Sequence, residues 1–136
     1  MKPIKLIVKT NTQKYPILIG NNLISKISKI IKNNSIKFEK CLLIIDKNVP
    51  KNSIIKAKKS LKNKKLYSCF IQANEKNKNQ KTTNSILKIL LDKNFSRKDC
   101  LIAIGGGITG DVSGFAASLF KRGLKFINIP TTLCLK

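Results

Sequence analysis

The sequence predicts an α/β domain, a mostly parallel sheet flanked by helices and preceded by an antiparallel hairpin. Three observations carry this. Uninterrupted apolar runs such as Cys41-Leu42-Leu43-Ile44-Ile45 and Cys100-Leu101-Ile102-Ala103-Ile104 have the length and the lack of alternation of strands buried on both faces. The segments between them carry apolar residues at helical spacing. Run and segment alternate along the chain, the order in which βαβ units are written.

Taken in order, residues 4–9 and 15–19 are two short β-like runs, and the polar stretch Thr10-Asn11-Thr12-Gln13-Lys14 between them predicts a hairpin. Gly20-Asn21-Asn22 punctuates the chain. Asn22 is placed to cap a helix that buries Leu23, Ile24, Ile27, Ile30 and Ile31. The run 41–45 is a strand ending at Asp46. Residues 50–62 read as a Lys-rich helix with Ile54, Ile55, Ala57 and Leu61 inward. Residues 66–71 form a strand and 72–81 a polar loop, and 82–94 a helix carrying Ile86, Leu87, Ile89, Leu90 and Leu91. The strand 100–104 runs into Gly105-Gly106-Gly107. Val112, Phe115, Ala116, Leu119 and Phe120 then give an i, i+3, i+4, i+7, i+8 helix face, Gly123 stops that helix, and 126–129 is a last strand before Pro130. There is no linker and no internal repeat, so residues 1–136 read as one Rossmann-like domain.

Composition narrows the function. The net charge is +22, which ordinarily points to nucleic acid or an anionic membrane. Yet 26 of the 28 basic residues are Lys, spread along the whole chain, and Arg97 and Arg122 are the two Arg. Lys, Ile and Asn, all with AT-rich codons, make up 61 of the 136 residues, so codon bias accounts for the charge without a polyanion. Base-reading surfaces favour Arg forks with interleaved aromatics, and aromatics here are 6% with no Trp. No specific nucleic-acid partner is expected. No apolar run approaches the ~18 residues of a membrane span, and Met1-Lys2-Pro3 opens no signal peptide. Cys41, Cys69, Cys100 and Cys134 form no Cys-x-x-Cys pair. The first three fall in or beside strand runs, so they read as small buried hydrophobes of a cytoplasmic protein. There is no His, and the six acids are scattered, so neither a metal site nor the usual neutral-pH general base is expected in this segment.

In an open α/β sheet, ligands bind at the carboxyl ends of the strands. Three such ends carry notable residues. Asp46-Lys47-Asn48-Val49 could offer a carboxylate to ribose hydroxyls, or Asp46 or Asn48 could simply cap the next helix. Asn74-Glu75-Lys76-Asn77-Lys78 could grip a ribose and a phosphate, or be a solvated charge run. Gly105-Gly106-Gly107-Ile108-Thr109-Gly110-Asp111, between a strand and a helix, would let a diphosphate approach the backbone and the unpaired N–H groups of the helix start. A tight structural turn would need one glycine, not four.

The stretch from Gly105 through Gly110-Asp111 and Gly114-Phe115 to Ala117, then Lys121-Arg122-Gly123 and Ile129-Pro130-Thr131-Thr132-Leu133, closely resembles the signature of the 3-dehydroquinate synthase family. Asp46-Lys47-Asn48-Val49 and the Glu75/Lys78 pair resemble that family's motifs too, so the resemblance covers nearly the whole chain. Glycerol dehydrogenases and iron-type alcohol dehydrogenases share the fold and a triple glycine, but are not expected to combine Gly110-Asp111, Gly114-Phe115 and Arg122-Gly123.

The resemblance implies an enzyme of the shikimate pathway that converts the sugar acid phosphate DAHP to 3-dehydroquinate and phosphate, with NAD recycled within the reaction and a divalent metal, zinc or cobalt. It implies NAD contacts from Asp46, Asn48, Glu75, Lys78, Gly106, Gly107, Ile108, Asp111, Thr131 and Thr132. It also implies that Arg122 reaches the substrate phosphate or carboxylate from a neighbouring subunit of a homodimer. Three positions depart from the family. Asn74 stands where the family has Gly, a place where Asn tolerates left-handed backbone, and Cys134 stands where the family has Leu. The family continues past this point into Val-Asp-Ser-Ser and Gly-Gly-Lys, then to a Glu and two His that bind metal, whereas this chain reads Cys134-Leu135-Lys136. The expectation is therefore an NAD-binding segment with no catalytic or metal residue of its own, inactive alone or completed by a separate C-terminal chain. A related sugar phosphate cyclase such as 2-deoxy-scyllo-inosose synthase, and a non-catalytic remnant that binds NAD or polyanions, are the alternatives.

Overall fold

The computed structural model describes residues 4–131. Strands β1 (Ile4–Lys9) and β2 (Lys14–Ile19) form the hairpin, closed by Thr10, whose N–H donates to Gln13 O (2.7 Å) and whose Oγ1 accepts from Gln13 N (2.9 Å). The register sets Ile4, Leu6 and Val8 against Ile19, Ile17 and Tyr15, so six apolar side chains share one face. Most of them stay exposed, since the hairpin forms its own two-stranded sheet.

A 3-10 turn (Leu23–Lys26) leads into α1 (Ile27–Asn33), which buries Ile27 and Ile31. Asn22 makes no side-chain cap. It adopts a left-handed conformation (φ 56°) and its carbonyl accepts from Ser25 N and Oγ, so what the turn uses is Asn's tolerance of positive φ. The alternation then follows: β3 (Lys40–Asp46), α2 (Lys51–Ser60), β4 (Lys65–Ile71), α3 (Gln80–Asp92), β5 (Cys100–Gly105), α4 (Gly107–Leu119) and β6 (Lys125–Pro130). Asn79 caps α3, accepting from Thr82 N. The four strands are all parallel, in the order β4-β3-β5-β6.

The central strands divide their side chains between two layers. Cys41, Leu43, Ile45, Cys100, Ile102 and Ile104 pack with Ile27, Ile31, Ala57 and Leu61 under α1 and α2. Leu42, Ile44 and Leu101 pack with Ile86, Leu90, Val112, Ala116 and Phe120 under α3 and α4. This is the helix–sheet–helix layering expected of uninterrupted apolar strands.

Several inward assignments are overturned. Ile55 and Leu91 are each 60% exposed, and Phe115 and Leu119 each 48%. On α4 the residues set against the sheet are Thr109, Val112, Ser113, Ala116 and Ala117, a smaller set at the same helical spacing. The reason lies on β6. A methyl group on Gly114 would lie 3.2 Å from the Phe126 ring and one on Gly110 3.0 Å from the Asn128 amide, so α4 sits down on its small side and turns Phe115 and Leu119 outward.

The pole holding the strand starts and helix ends is tied by lysines. Lys40 Nζ donates to the carbonyls of Lys93 (2.9 Å) and Asn94 (3.1 Å), Lys64 to Phe38 (2.7 Å) and Lys121 to Phe95 (3.0 Å), and Lys125 to Lys37 and Lys98. Cations placed on helix C-terminal carbonyls are favourably set.

Cys41 and Cys100 are buried neighbours across β3 and β5, whereas Cys69, on the sheet-edge strand β4, is only half-buried, which corrects its assignment to the core. Burial pushes the Cys41 thiol up to about 12 and raises Cys100 as well. Under native conditions iodoacetamide will therefore modify Cys69 more than about tenfold faster than either of them, as followed by peptide mass spectrometry. Equal rates would contradict this packing.

Candidate functional site

At the opposite pole the carboxyl ends of the strands bring the singled-out residues together. A methyl group on Gly105 would lie 2.9 Å from Asp46 Cβ and 2.7 Å from Thr109 Oγ1, so the end of β5 is pressed between the tip of β3 and the first turn of α4. Gly105 O accepts from Thr131 N (2.9 Å) and Ile71 O from Lys47 N (2.9 Å), which joins all four strand ends.

Asp46 does not cap α2, whose first turn follows Pro50 without a side-chain cap. One of its oxygens accepts from Asn48 N (3.1 Å) and holds its own turn, and Oδ2 has no partner among the described residues. Asn48 is exposed beside it. After β4, a 3-10 turn (Glu75–Asn77) interrupts the expected loop. Asn74 is extended there (φ −139°) and its side chain accepts from Asn77 N, so its job is capping and not left-handed backbone. Glu75 is exposed. Lys78 Nζ lies 3.2 Å from Asp111 Oδ2 on α4. Between them opens a cleft of about 250 Å³ lined by Lys78, Asn79, Gln80, Thr83, Asp111, Val112 and Phe115.

The glycines separate into two jobs. Gly105, Gly110 and Gly114 are required by close neighbours: Asp46 and Thr109, Asn128, and Phe126. Gly107 is different, because nothing lies within 4 Å of where its Cβ would be. Gly106, the residue before α4, brings no side chain to cap it, and no other group does. The first N–H groups of α4, at Gly107, Ile108 and Thr109, thus start a helix with an uncapped, open approach, the arrangement that receives anions. Thr109 Oγ1 and Ser113 Oγ, one turn apart on the sheet side, are buried without a partner.

Asp46, Asn48, Glu75, Lys78, Gly106, Gly107, Ile108, Asp111 and Thr131 therefore lie at one pole. Thr132 lies outside the described residues. Arg122 does not join them. It sits in the 3-10 turn (Phe120–Arg122) after the 13-residue α4, which at 1.5 Å per residue sets it about 20 Å from the glycine turn. Phe115, read as core, lines the cleft. No spacing rule marks it, since helical periodicity does not say which flank is seated.

A larger cleft, about 800 Å³, lies at the amino pole among Lys32, Lys37, Phe38, Lys64, Lys98 and Lys125. Lys64 and Lys125 are committed to backbone carbonyls there, and the strand-end geometry that builds ligand sites is at the other pole. Among the described residues no three His, Cys, Asp or Glu side chains gather to hold a metal, and no helix is long and apolar enough to cross a membrane. The open helix start and the unpartnered Asp46 oxygen fit a dinucleotide. The donor set does not fit a metal.

Comparison with known proteins decides the family. The model described as 3-dehydroquinate synthase N-terminal matches residues 68–136. The chain belongs to the 3-dehydroquinate synthase family. It is 62% identical over 130 residues to the 3-dehydroquinate synthase of Pelagibacter ubique (strain HTCC1062), covering 96% of this chain and 35% of that protein. Among solved structures, 2-deoxy-scyllo-inosose synthase in complex with carbaglucose-6-phosphate, NAD+ and Co2+ superposes with a TM-score of 0.84 at 23% identity over 95% of this chain and 35% of that one, a likeness of fold. The 2-epi-5-epi-valiolone synthase of Streptomyces hygroscopicus subsp. jinggangensis 5008, with NAD+ and Zn2+ bound, matches with a TM-score of 0.64 at 28% identity over 69% of this chain and 27% of that one. The chain spans about a third of the length of the 3-dehydroquinate synthases it matches.

Proposed function

We propose that this chain is the dinucleotide-binding part of a 3-dehydroquinate synthase acting on DAHP in the cytoplasm. The observation that carries the reading is the uncapped start of α4, with Gly107 open to approach, set against Asp46 and Thr131 through the single residue Gly105. The first-turn N–H groups would take the diphosphate. The free oxygen of Asp46 would accept from a ribose hydroxyl, with Asn48 and Thr131 alongside. Lys78 and Asp111 would meet the second phosphate and ribose, and Glu75 lies on the same side. NAD so held supplies hydride acceptance and return.

The guanidinium fork of Arg122 suits the substrate's phosphate or carboxylate. Because it stands about 20 Å along α4 from this site, it would serve the site of a second copy, and a homodimer follows from that geometry. The 62% identity to a 3-dehydroquinate synthase, against 23% to 2-deoxy-scyllo-inosose synthase, favours DAHP over the alternative sugar phosphate.

Calorimetric titration with NAD tests the reading. The expected result is saturable one-to-one binding that changes little between low and physiological ionic strength. Heat that vanishes steeply with salt, and that NAD does not saturate, would mean generic lysine electrostatics and sink the proposal.

A further inference from the structure

Among the described residues Lys78–Asp111 is the one ion pair, although lysines crowd the chain. It joins the turn after β4 to the second turn of α4, at the mouth of the 250 Å³ cleft. The backbone on either side of Lys78 is tied down. Asn77 Nδ2 donates to Gln72 O (2.7 Å) and Asn79 Nδ2 to Lys76 O (2.6 Å), so the loop is held while the lysine stem can swing. Both partners are half-exposed, 47% and 63%, and such pairs are weak.

We propose that Lys78–Asp111 is a partner-exchange latch. With the site empty, the ammonium rests on the Asp111 carboxylate and closes the cleft mouth. An arriving diphosphate, more highly charged than a carboxylate, takes the ammonium over, and Asp111 is released with two free acceptor oxygens for a ribose. One exchange thus presents a donor and an acceptor together, and only to a ligand bearing phosphate. The latch rests on the nucleotide reading above.

A double-mutant cycle with ADP as the probe tests it, with Asp111→Asn, Lys78→Met and the double variant measured by calorimetry beside the unaltered chain. Asp111→Asn removes the competitor while keeping the shape, so ADP binding should tighten about 2- to 5-fold, the size of a weak exposed pair. Lys78→Met should weaken it. In the Lys78→Met background, Asp111→Asn should then add nothing. Tightening of equal size in both backgrounds would mean that Asp111 acts only by its negative charge, and no tightening in either would mean that it does not hold Lys78. Each of these overturns the latch while NAD binding by the unaltered chain leaves the nucleotide reading standing. Failure of the unaltered chain to bind NAD or ADP overturns both. Unchanged circular dichroism and melting temperature across the four proteins show that folding is not what is read.

Discussion

Gly105→Ala loses about 2–4 kcal/mol of stability, a fall in melting temperature on the order of 10 °C. The added methyl would meet Thr109 Oγ1 at 2.7 Å and the Cβ atoms of Asp46 and Thr109 at 2.9 Å, closer than real Cβ atoms come, and at a φ of +159° that side chains rarely adopt. None of these neighbours is the loose end of a flexible chain. Asp46 ends β3 and Thr109 is buried in the first turn of α4, so relief requires α4 to lift from the sheet. The Thr131 N–H that Gly105 O holds would move with it. Thermal denaturation followed by circular dichroism reads the loss, and a variant within about 1 kcal/mol of the unaltered protein would show that the turn is roomier than this geometry.

Gly107→Glu has the converse outcome: the fold stands and NAD binding falls by about a hundredfold or more. Nothing lies within 4 Å of the Gly107 Cβ position, so a side chain there meets open space, and an acidic residue in the first turn suits a helix start. The same carboxylate occupies the approach to the α4 N–H groups and repels a diphosphate. The measurement is the NAD titration beside a melting curve. Retained NAD affinity in a folded Gly107→Glu protein would move the diphosphate away from this helix start. The two glycines are two residues apart and read alike in sequence, yet one serves packing and the other access.

That contrast marks where sequence reading stopped. The alternation of strands and helices was legible because continuous apolar runs and 3.6-residue spacing leave few other arrangements. The convergence of Asp46, Gly105 and Thr131 followed from the rule that sites form at strand ends. The seating of α4 was not legible. Thr109, Val112, Ser113, Ala116 and Ala117 recur at the same helical interval as Phe115 and Leu119. Choosing between the two flanks needs the position of Phe126 and Asn128 on a strand that comes later in the chain. The asparagines misled for a related reason. Asn22 and Asn74 each suit both a cap and a left-handed turn, and each took the role not assigned to it, because the neighbouring 3-10 turns decide which N–H groups need an acceptor.

The lysine ties at the amino pole change what a charge of +22 means for this chain. Lys40, Lys64, Lys121 and Lys125 spend their ammonium groups as bolts, each fastening a loop to its neighbour through a carbonyl. A flexible four-carbon arm can find such an acceptor from many starting points, where the broad planar head of arginine needs a shaped recess. A composition drifting towards lysine can thus keep its joints fastened, with part of its apparent surplus of positive charge facing inward as hardware.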